Sequence, residues 1–138
     1  MKQLKDYVCT LDKSKELKEL GVIQKPIWNS FWEEAVLPKR AYLTRVLPLS
    51  ELKPFEQDFA IKQGEYKWRY AAFTSGELGV ALGMNGDESV KSIAYSLLGV
   101  CEKFQSDNEA GDRADVLIRA IKAGRISVEE VNKRLSGE

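Results

Sequence analysis

The sequence predicts an α+β fold, with a small and mostly antiparallel sheet in the N-terminal half followed by packed helices in the C-terminal half. Runs of alternating side chains are confined to residues 22–73, whereas apolar residues at helical spacing dominate from residue 74 onward. Strands and helices do not alternate regularly, and we find no repeat, linker or low-complexity tract. We therefore expect residues 1–138 to form a single α+β domain.

The N-terminal half opens with a short helix and continues in strands. Thr10 is the expected N-cap of LDKSKELKEL, and Gly21 ends that helix. The segment VIQKPIWNSFWEEAV predicts a strand with Trp28 and Trp32 on one face, and RAYLTRVL predicts a second. FAIKQGEYKWRYAAF predicts two more strands joined by a turn at Gly64.

Four helices are expected in the C-terminal half. Thr74 and Glu77 have capping-box spacing, which starts a short helix that runs through Leu82. Apolar residues at helical spacing then predict a helix from Asp87 to Phe104. The stripe of the next helix, which Gly124 ends, is Ala110, Ala114, Leu117 and Ile121. Ser127 and Glu130 repeat the capping-box spacing and begin the last helix.

Charge and composition exclude several classes of partner. The 21 basic and 21 acidic residues cancel, so we expect neither a nucleic-acid polymer nor an anionic membrane as partner. No run of about 18 apolar residues occurs, which favours a soluble, cytoplasmic protein. The two cysteines, Cys9 and Cys101, are expected to be reduced and buried.

The residues of this chain do not favour an enzyme. It contains no histidine, the most frequent general base and metal ligand near neutral pH. No zinc-site spacing, phosphate-binding glycine loop or G-x-S-x-G elbow is present, so we expect no metal, no cofactor and no catalytic residues. A hydrolase or transferase built on carboxylates is the remaining enzymatic interpretation.

The stretch EYKWRYAAFTSGELG is the first candidate surface, and two interpretations of it are open. Strand alternation places Arg69 and Phe73 on the face opposite Trp68. In the structural interpretation, the aromatic face is core and the cationic face is solvated. In the functional interpretation, Phe73, Arg69 and the helix start at Thr74 and Ser75 bind a nucleobase and a phosphate together.

Arg113 is the second candidate, because helix geometry places it about 40° from Leu117, on the apolar stripe. A cation beside such a stripe extends its head to solvent, pairs with Glu109 or Asp112, or meets an anion across an interface. The sequence leaves these three alternatives open.

Three phrases resemble, in the same order, those of a widespread group of small phage and prophage proteins. They are DYVCTLDKSKELKELGV, YAAFTSGELG and NEAGDRADVLIRAIKAG, and together they cover about a third of the chain. Through this group the chain resembles the Thoeris anti-defence type I family. Asp115 and Val116 depart from the pattern, since the group has Lys and Met at these positions.

The resemblance implies a non-enzymatic sponge. Such proteins sequester cyclic ADP-ribose-type immune signals in the host cytoplasm without degrading them, in symmetric pockets between protomers of a homo-oligomer, and some relatives also hold cyclic oligonucleotides. By this resemblance Phe73 is the base-stacking plate and Arg113 pairs with the pyrophosphate. The alternative is a phage accessory protein that contacts a host factor through an exposed patch that includes Trp28 and Trp32.

Overall fold

The computed structural model describes residues 6–24, 26, 30–35, 40–45, 53–55, 69–86, 88–104 and 108–137. Within these residues the α+β prediction is confirmed, since three short strands lie in the first part of the chain and most helices in the second. The elements are α1 (Leu11–Glu19), β1 (Ser30–Ala35), β2 (Arg40–Arg45), β3 (Arg69–Ala71), α2 (Ser75–Leu82), α3 (Val90–Leu98), α4 (Glu109–Lys122) and α5 (Val128–Ser136).

The sheet is antiparallel and has the strand order β2-β1-β3. In the register between β1 and β3, Phe31 lies opposite Ala71 and Trp32 lies opposite Tyr70. Phe31 and Ala71 are both buried, so this face of the sheet meets the helices. The strand predicted in RAYLTRVL is confirmed at Arg40–Arg45. The predicted turn at Gly64 lies outside the described residues.

Side-chain oxygens cap each helix start, as the sequence predicts for α1, α2 and α5. Thr10, Thr74 and Ser127 each accept a hydrogen bond from the backbone N–H three residues further on. Ser89 and Asn108 do the same for α3 and α4. Each cap satisfies one of the four N–H groups that a helix start leaves without an internal partner.

The helix predicted from Asp87 to Phe104 is shorter in the structure. α3 ends at Leu98 because Gly99 adopts a left-handed conformation with φ of 69°, and its N–H bonds back to the Tyr95 carbonyl. Glycine is the residue that adopts this conformation at least cost. Phe104 still packs against the core, but from an irregular segment rather than from a helix.

Helix α4 organises the packing of the helical half. It contacts α1, α2 and α3, and α5 packs on α2. Its buried face is the predicted stripe, with Ala110, Ala114 and Leu117 almost fully buried. Two of these three residues are alanines, so the neighbouring helices can approach α4 closely.

Two arginines hold α2 at its ends. Arg113 Nη1, from α4, donates to the Ser75 carbonyl at 2.8 Å, and Arg134 Nη1, from α5, donates to the Ala81 carbonyl at 3.1 Å. The guanidinium of Arg113 occupies the space above Gly79, where an added Cβ would lie 2.5 Å from Nη1. A larger residue at this position would require the guanidinium of Arg113 to move.

Asn132, from α5, fastens the turn after α1. Its Oδ1 accepts from the Ile23 N–H at 2.7 Å, and its Nδ2 donates to the Gly21 carbonyl at 3.1 Å. Both bonds satisfy backbone groups where regular structure has ended. The last helix thereby fixes the path of the chain out of the first.

We predict that Gly79→Ala lowers the free energy of unfolding by about 0.5–2 kcal/mol, because it breaks a charge-assisted hydrogen bond worth roughly 1.5–3 kcal/mol. The methyl group displaces Arg113 from the Ser75 carbonyl, and this loss exceeds the roughly 1 kcal/mol that alanine gains in a helix interior. Urea denaturation followed by circular dichroism measures the change.

Gly76→Ala is the matched control, because an added Cβ there meets only Thr74 Oγ1, at 4.0 Å. It should leave the stability unchanged or raise it slightly. In an Arg113→Met background the penalty at Gly79 should disappear. The same loss in both backgrounds would show that Arg113 is not its cause.

The two cysteines differ in accessibility, so the expectation that both are buried is wrong for Cys101. Cys9 is fully buried with its Sγ 3.1 Å from Ser14 Oγ, whereas Cys101 is exposed, and the two are not bonded to each other. Burial raises the pKa of the Cys9 thiol. Its thiolate, the reactive form, is therefore scarce at pH 8.

We predict that iodoacetamide at pH 8 modifies native protein once, at Cys101, and that Cys9 reacts only in denaturant. Intact-mass spectrometry counts the adducts. A Cys101→Ser variant should remain unmodified until it is unfolded. Rapid modification of this variant under native conditions would contradict the burial of Cys9.

Candidate functional site

The three phrases that carry the family resemblance meet at the start of α2. Val8 forms an isolated antiparallel bridge with Thr74, and the Cys9 N–H donates to the Phe73 carbonyl at 3.0 Å. Asn108 Nδ2, at the cap of α4, donates to the Val8 carbonyl at 2.9 Å. One residue of each phrase is thus hydrogen-bonded to another phrase.

Phe73 does not present a stacking surface. Its side chain is 1 % exposed and belongs to the hydrophobic core, so the expected role as a base-stacking plate is corrected to a packing role. Strand β3 ends at Ala71, and Ala71, Ala72 and Phe73 are all buried in succession. The two-residue alternation on which the prediction rested stops before Phe73.

Thr74 and Ser75 are occupied by the helix start. Thr74 Oγ1 accepts from the Glu77 N–H, while Glu77 Oε1 accepts from both the N–H and the hydroxyl of Thr74. This capping box places a carboxylate, only 4 % exposed as a residue, at the positive end of α2. An external phosphate at this helix start would meet the negative charge of Glu77.

Arg113 pairs within the chain, which is one of its three predicted alternatives. Its Nη2 donates to Glu109 Oε1 at 2.8 Å, its Nη1 donates to the Ser75 carbonyl, and its side chain is 17 % exposed. Its Nε is buried without a hydrogen-bond partner among the described residues. The structure therefore joins Arg113 to Ser75, two residues beyond Phe73, as a structural contact.

Arg69 is engaged in the sheet. Its Nη2 lies 3.1 Å from Glu33 Oε2, on the neighbouring strand directly opposite in the register. Lys18 of α1 covers the same strand, since its Nζ donates to the Arg69 carbonyl at 2.7 Å and lies 5.2 Å from the centre of the Tyr70 ring. Partial burial of the Lys18 ammonium group lowers its pKa. Arg69 is thus a cross-strand partner rather than an open cation.

Trp32 is also anchored in the fold. Its Nε1 donates to the Cys9 carbonyl at 2.8 Å, and the side chain is half-buried. This favours the core interpretation for Trp32, while Trp28 lies outside the described residues. The large apolar side chains that are most exposed lie elsewhere, at Tyr7, Phe55, Val80 and Tyr95.

An open cavity of about 450 Å³ lies beside this region, between the starts of α3 and α4. Three segments form its walls. They are the start of α3 with Ser89 and Lys91, the segment before α4 with Lys103 and Phe104, and the first turn of α4 with Glu109 and Asp112. The volume is within the range typical of small-molecule sites, roughly 300–1,000 Å³.

A bidentate ion pair positions the middle wall of the cavity. Arg119 donates to both carboxylate oxygens of Glu102, at 2.8 and 2.6 Å, and this pairing lowers the pKa of Glu102. Two parallel bonds fix orientation as well as distance. Lys103 and Phe104, which follow directly, are thereby held against α4.

The cavity carries both signs of charge. Lys91 and Lys103 make no ion pair with any residue that the structure describes. Glu109 is paired with Arg113, and partial burial raises the pKa of Asp112. Lys91 and Lys103 therefore lie beside one carboxylate that is paired with an arginine and one that is partly desolvated.

Sequence reasoning missed Lys91, Lys103 and Phe104. It placed Phe104 on the apolar stripe of a long helix, so the residues beside it had no separate role. Gly99 was the available signal, because a glycine after an apolar periodic run favours a helix end. That signal would have placed Lys103 and Phe104 in a loop ahead of α4.

Comparison of the chain with protein-family models, curated proteins and solved structures gives no match. In the part of the chain that the structure describes, no three acidic or cysteine side chains are grouped to hold a metal ion. None of the helices described is long and apolar enough to span a membrane.

We predict that Phe73→Ala lowers the free energy of unfolding by about 3–5 kcal/mol, the usual cost of truncating a buried phenylalanine. Tyr95→Ala is the matched control, since Tyr95 is 62 % exposed and its loss should cost no more than about 0.5 kcal/mol. Urea denaturation compares the two. Equal, small losses would restore Phe73 as a surface residue.

Proposed function

We propose that this chain is a phage-encoded, non-enzymatic binding protein. It sequesters a nucleotide-derived immune signal of the cyclic ADP-ribose type in the host cytoplasm and so counters bacterial anti-phage defence. The resemblance of the three phrases motivates the proposal, and their contact at the start of α2 makes them parts of one region. The proposal includes a homo-oligomer, as the resemblance implies.

One observation carries the proposal. Glu109 and Asp112, both in the phrase NEAGDRADVLIRAIKAG, line an open cavity of about 450 Å³ together with two lysines. A phrase of the resemblance thus borders a space of ligand size that also carries positive charge. A concave space lined by charged side chains of both signs supports binding of a small polar molecule over recognition of a host protein through a flat apolar surface.

Sequestration requires only that the ligand be bound and returned unchanged. A binding protein lowers the free concentration of a signal by mass action, to an extent set by protein concentration and dissociation constant. No bond in the ligand is made or broken. The protein must therefore be present at a concentration comparable with that of the signal, which is a stoichiometric rather than a catalytic requirement.

We predict that one of the cyclic ADP-ribose isomers or cyclic dinucleotides binds with measurable heat in isothermal titration. At a free concentration of 100 times its dissociation constant, the ligand should raise the free energy of unfolding by about 2.7 kcal/mol. Mass spectrometry after denaturation should recover it unchanged, and native mass spectrometry should report the oligomer. If no compound of this panel gives heat or a thermal shift, the proposed function is wrong.

A further inference from the structure

We propose that the cavity between α3 and α4 is the ligand site, and that it binds a nucleotide-like anion. In this assignment, Lys91 and Lys103 face the anionic group, Phe104 faces the planar ring, and Asp112 accepts hydrogen bonds from hydroxyl groups. The inference rests on the proposed binding function. It moves the site away from Phe73, which the core encloses.

Among the described residues, the two lysines of the cavity have no ion-pair partner, in contrast to three arginines of the helical half. Arg113, Arg119 and Arg134 each pair with a carboxylate at 2.6–2.9 Å. Lys91 and Lys103 line the cavity without such a pair in the described ranges. The ammonium groups of Lys91 and Lys103 border one cavity and attract an anion to it, although Glu109 and Asp112 balance the two lysines in formal charge.

The start of α3 adds to this field. Its first turn contains no acidic residue, whereas Glu77 caps α2 and Glu109 and Asp112 lie in the first turn of α4. The hydroxyl oxygen of Ser89 accepts from the Ser92 N–H. The N–H groups of Val90 and Lys91, in the first turn, have no partner within the helix. They lie on the same wall as Lys91, and the helix dipole has the same sign there.

Phe104 offers an aromatic face on which a planar ring can stack, whereas the ring of Phe73 is buried. Phe104 is half-buried, packs against the core with part of its ring and lines the cavity with the rest. An aromatic ring fixed in this way can stack on a planar group with little loss of side-chain entropy. The pair of Glu102 with Arg119 holds the adjoining backbone, which keeps the ring in place.

The carboxylates define the class of ligand further. Glu109 is engaged by Arg113, and Asp112, three residues later on the same side of the helix, lines the cavity without an ion pair to any described residue. An anionic group, a planar ring and hydroxyl groups occur together in nucleotides, and acidic side chains commonly bind ribose hydroxyls. A simple inorganic anion would satisfy only the lysines.

The test compares three variants of the full chain by isothermal titration with cyclic ADP-ribose and with AMP. Lys103→Met and Phe104→Leu should each weaken binding about tenfold to a hundredfold, the range expected for a lost charge contact or stacked ring. Lys133→Met, an exposed lysine of α5 outside the cavity, is the matched control and should bind like the wild type. Circular dichroism verifies that Phe104→Leu is folded. Lys103→Met is expected to fold like the wild type, because Lys103 is exposed.

The outcomes separate this inference from the proposed function. Unchanged affinity in both Lys103→Met and Phe104→Leu would overturn the cavity as the site and leave sequestration standing. Weakened binding in these two variants, with a ligand that is recovered chemically altered, would support the site and overturn sequestration. Absence of binding of both cyclic ADP-ribose and AMP to the wild type would overturn the assignment of the cavity, whereas the proposed function fails only when the whole panel of cyclic ADP-ribose isomers and cyclic dinucleotides gives no binding. Equal weakening by Lys133→Met would reduce the effect to net charge and also overturn the assignment.

Discussion

The fold depends on helix α2 being held at both ends by guanidinium groups. Arg134 donates to the Ala81 carbonyl, which belongs to the last turn and has no partner within the helix. Its charge also suits the negative end of the helix dipole. Arg113 binds at the opposite end, where the dipole repels a cation, so it requires compensation. Glu109 supplies this at 2.8 Å, and the capping carboxylate of Glu77 adds negative charge to the same helix start.

This constraint explains why the residues that first draw notice are structural. The three phrases use their polar groups to join segments that are far apart in sequence. Val8 forms a β-bridge with Thr74, and Arg113 donates to the Ser75 carbonyl. A polar group that must satisfy a buried backbone partner is not available to a ligand. In the assignment proposed above, the ligand is bound instead by side chains such as Lys103, which lines the cavity and makes no ion pair with a described residue.

Much of the helical half could be predicted because its signals are local. A threonine or serine directly before a run of apolar residues at helical spacing indicates a helix start, as at Thr10, Thr74 and Ser127. The placement of Phe73 could not be derived in this way, because alternation describes a strand but not what covers it. The cavity could not be predicted from the sequence either, because it is formed by three segments that are separated in the chain. Only the end of α3 at Gly99 was a local signal that sequence reasoning overlooked.

The bond between Ile23 and Asn132 joins residues that are 109 positions apart, and it has a consequence for synthesis. A ribosome that adds about 5–20 residues per second needs about 5–20 s to proceed from one partner to the other. During that interval the nascent chain carries α1 without the side chain that secures its exit. The N-terminal segment therefore leaves the ribosome before this bond can form, and the native structure around Ile23 is completed only after Asn132 has left the exit tunnel.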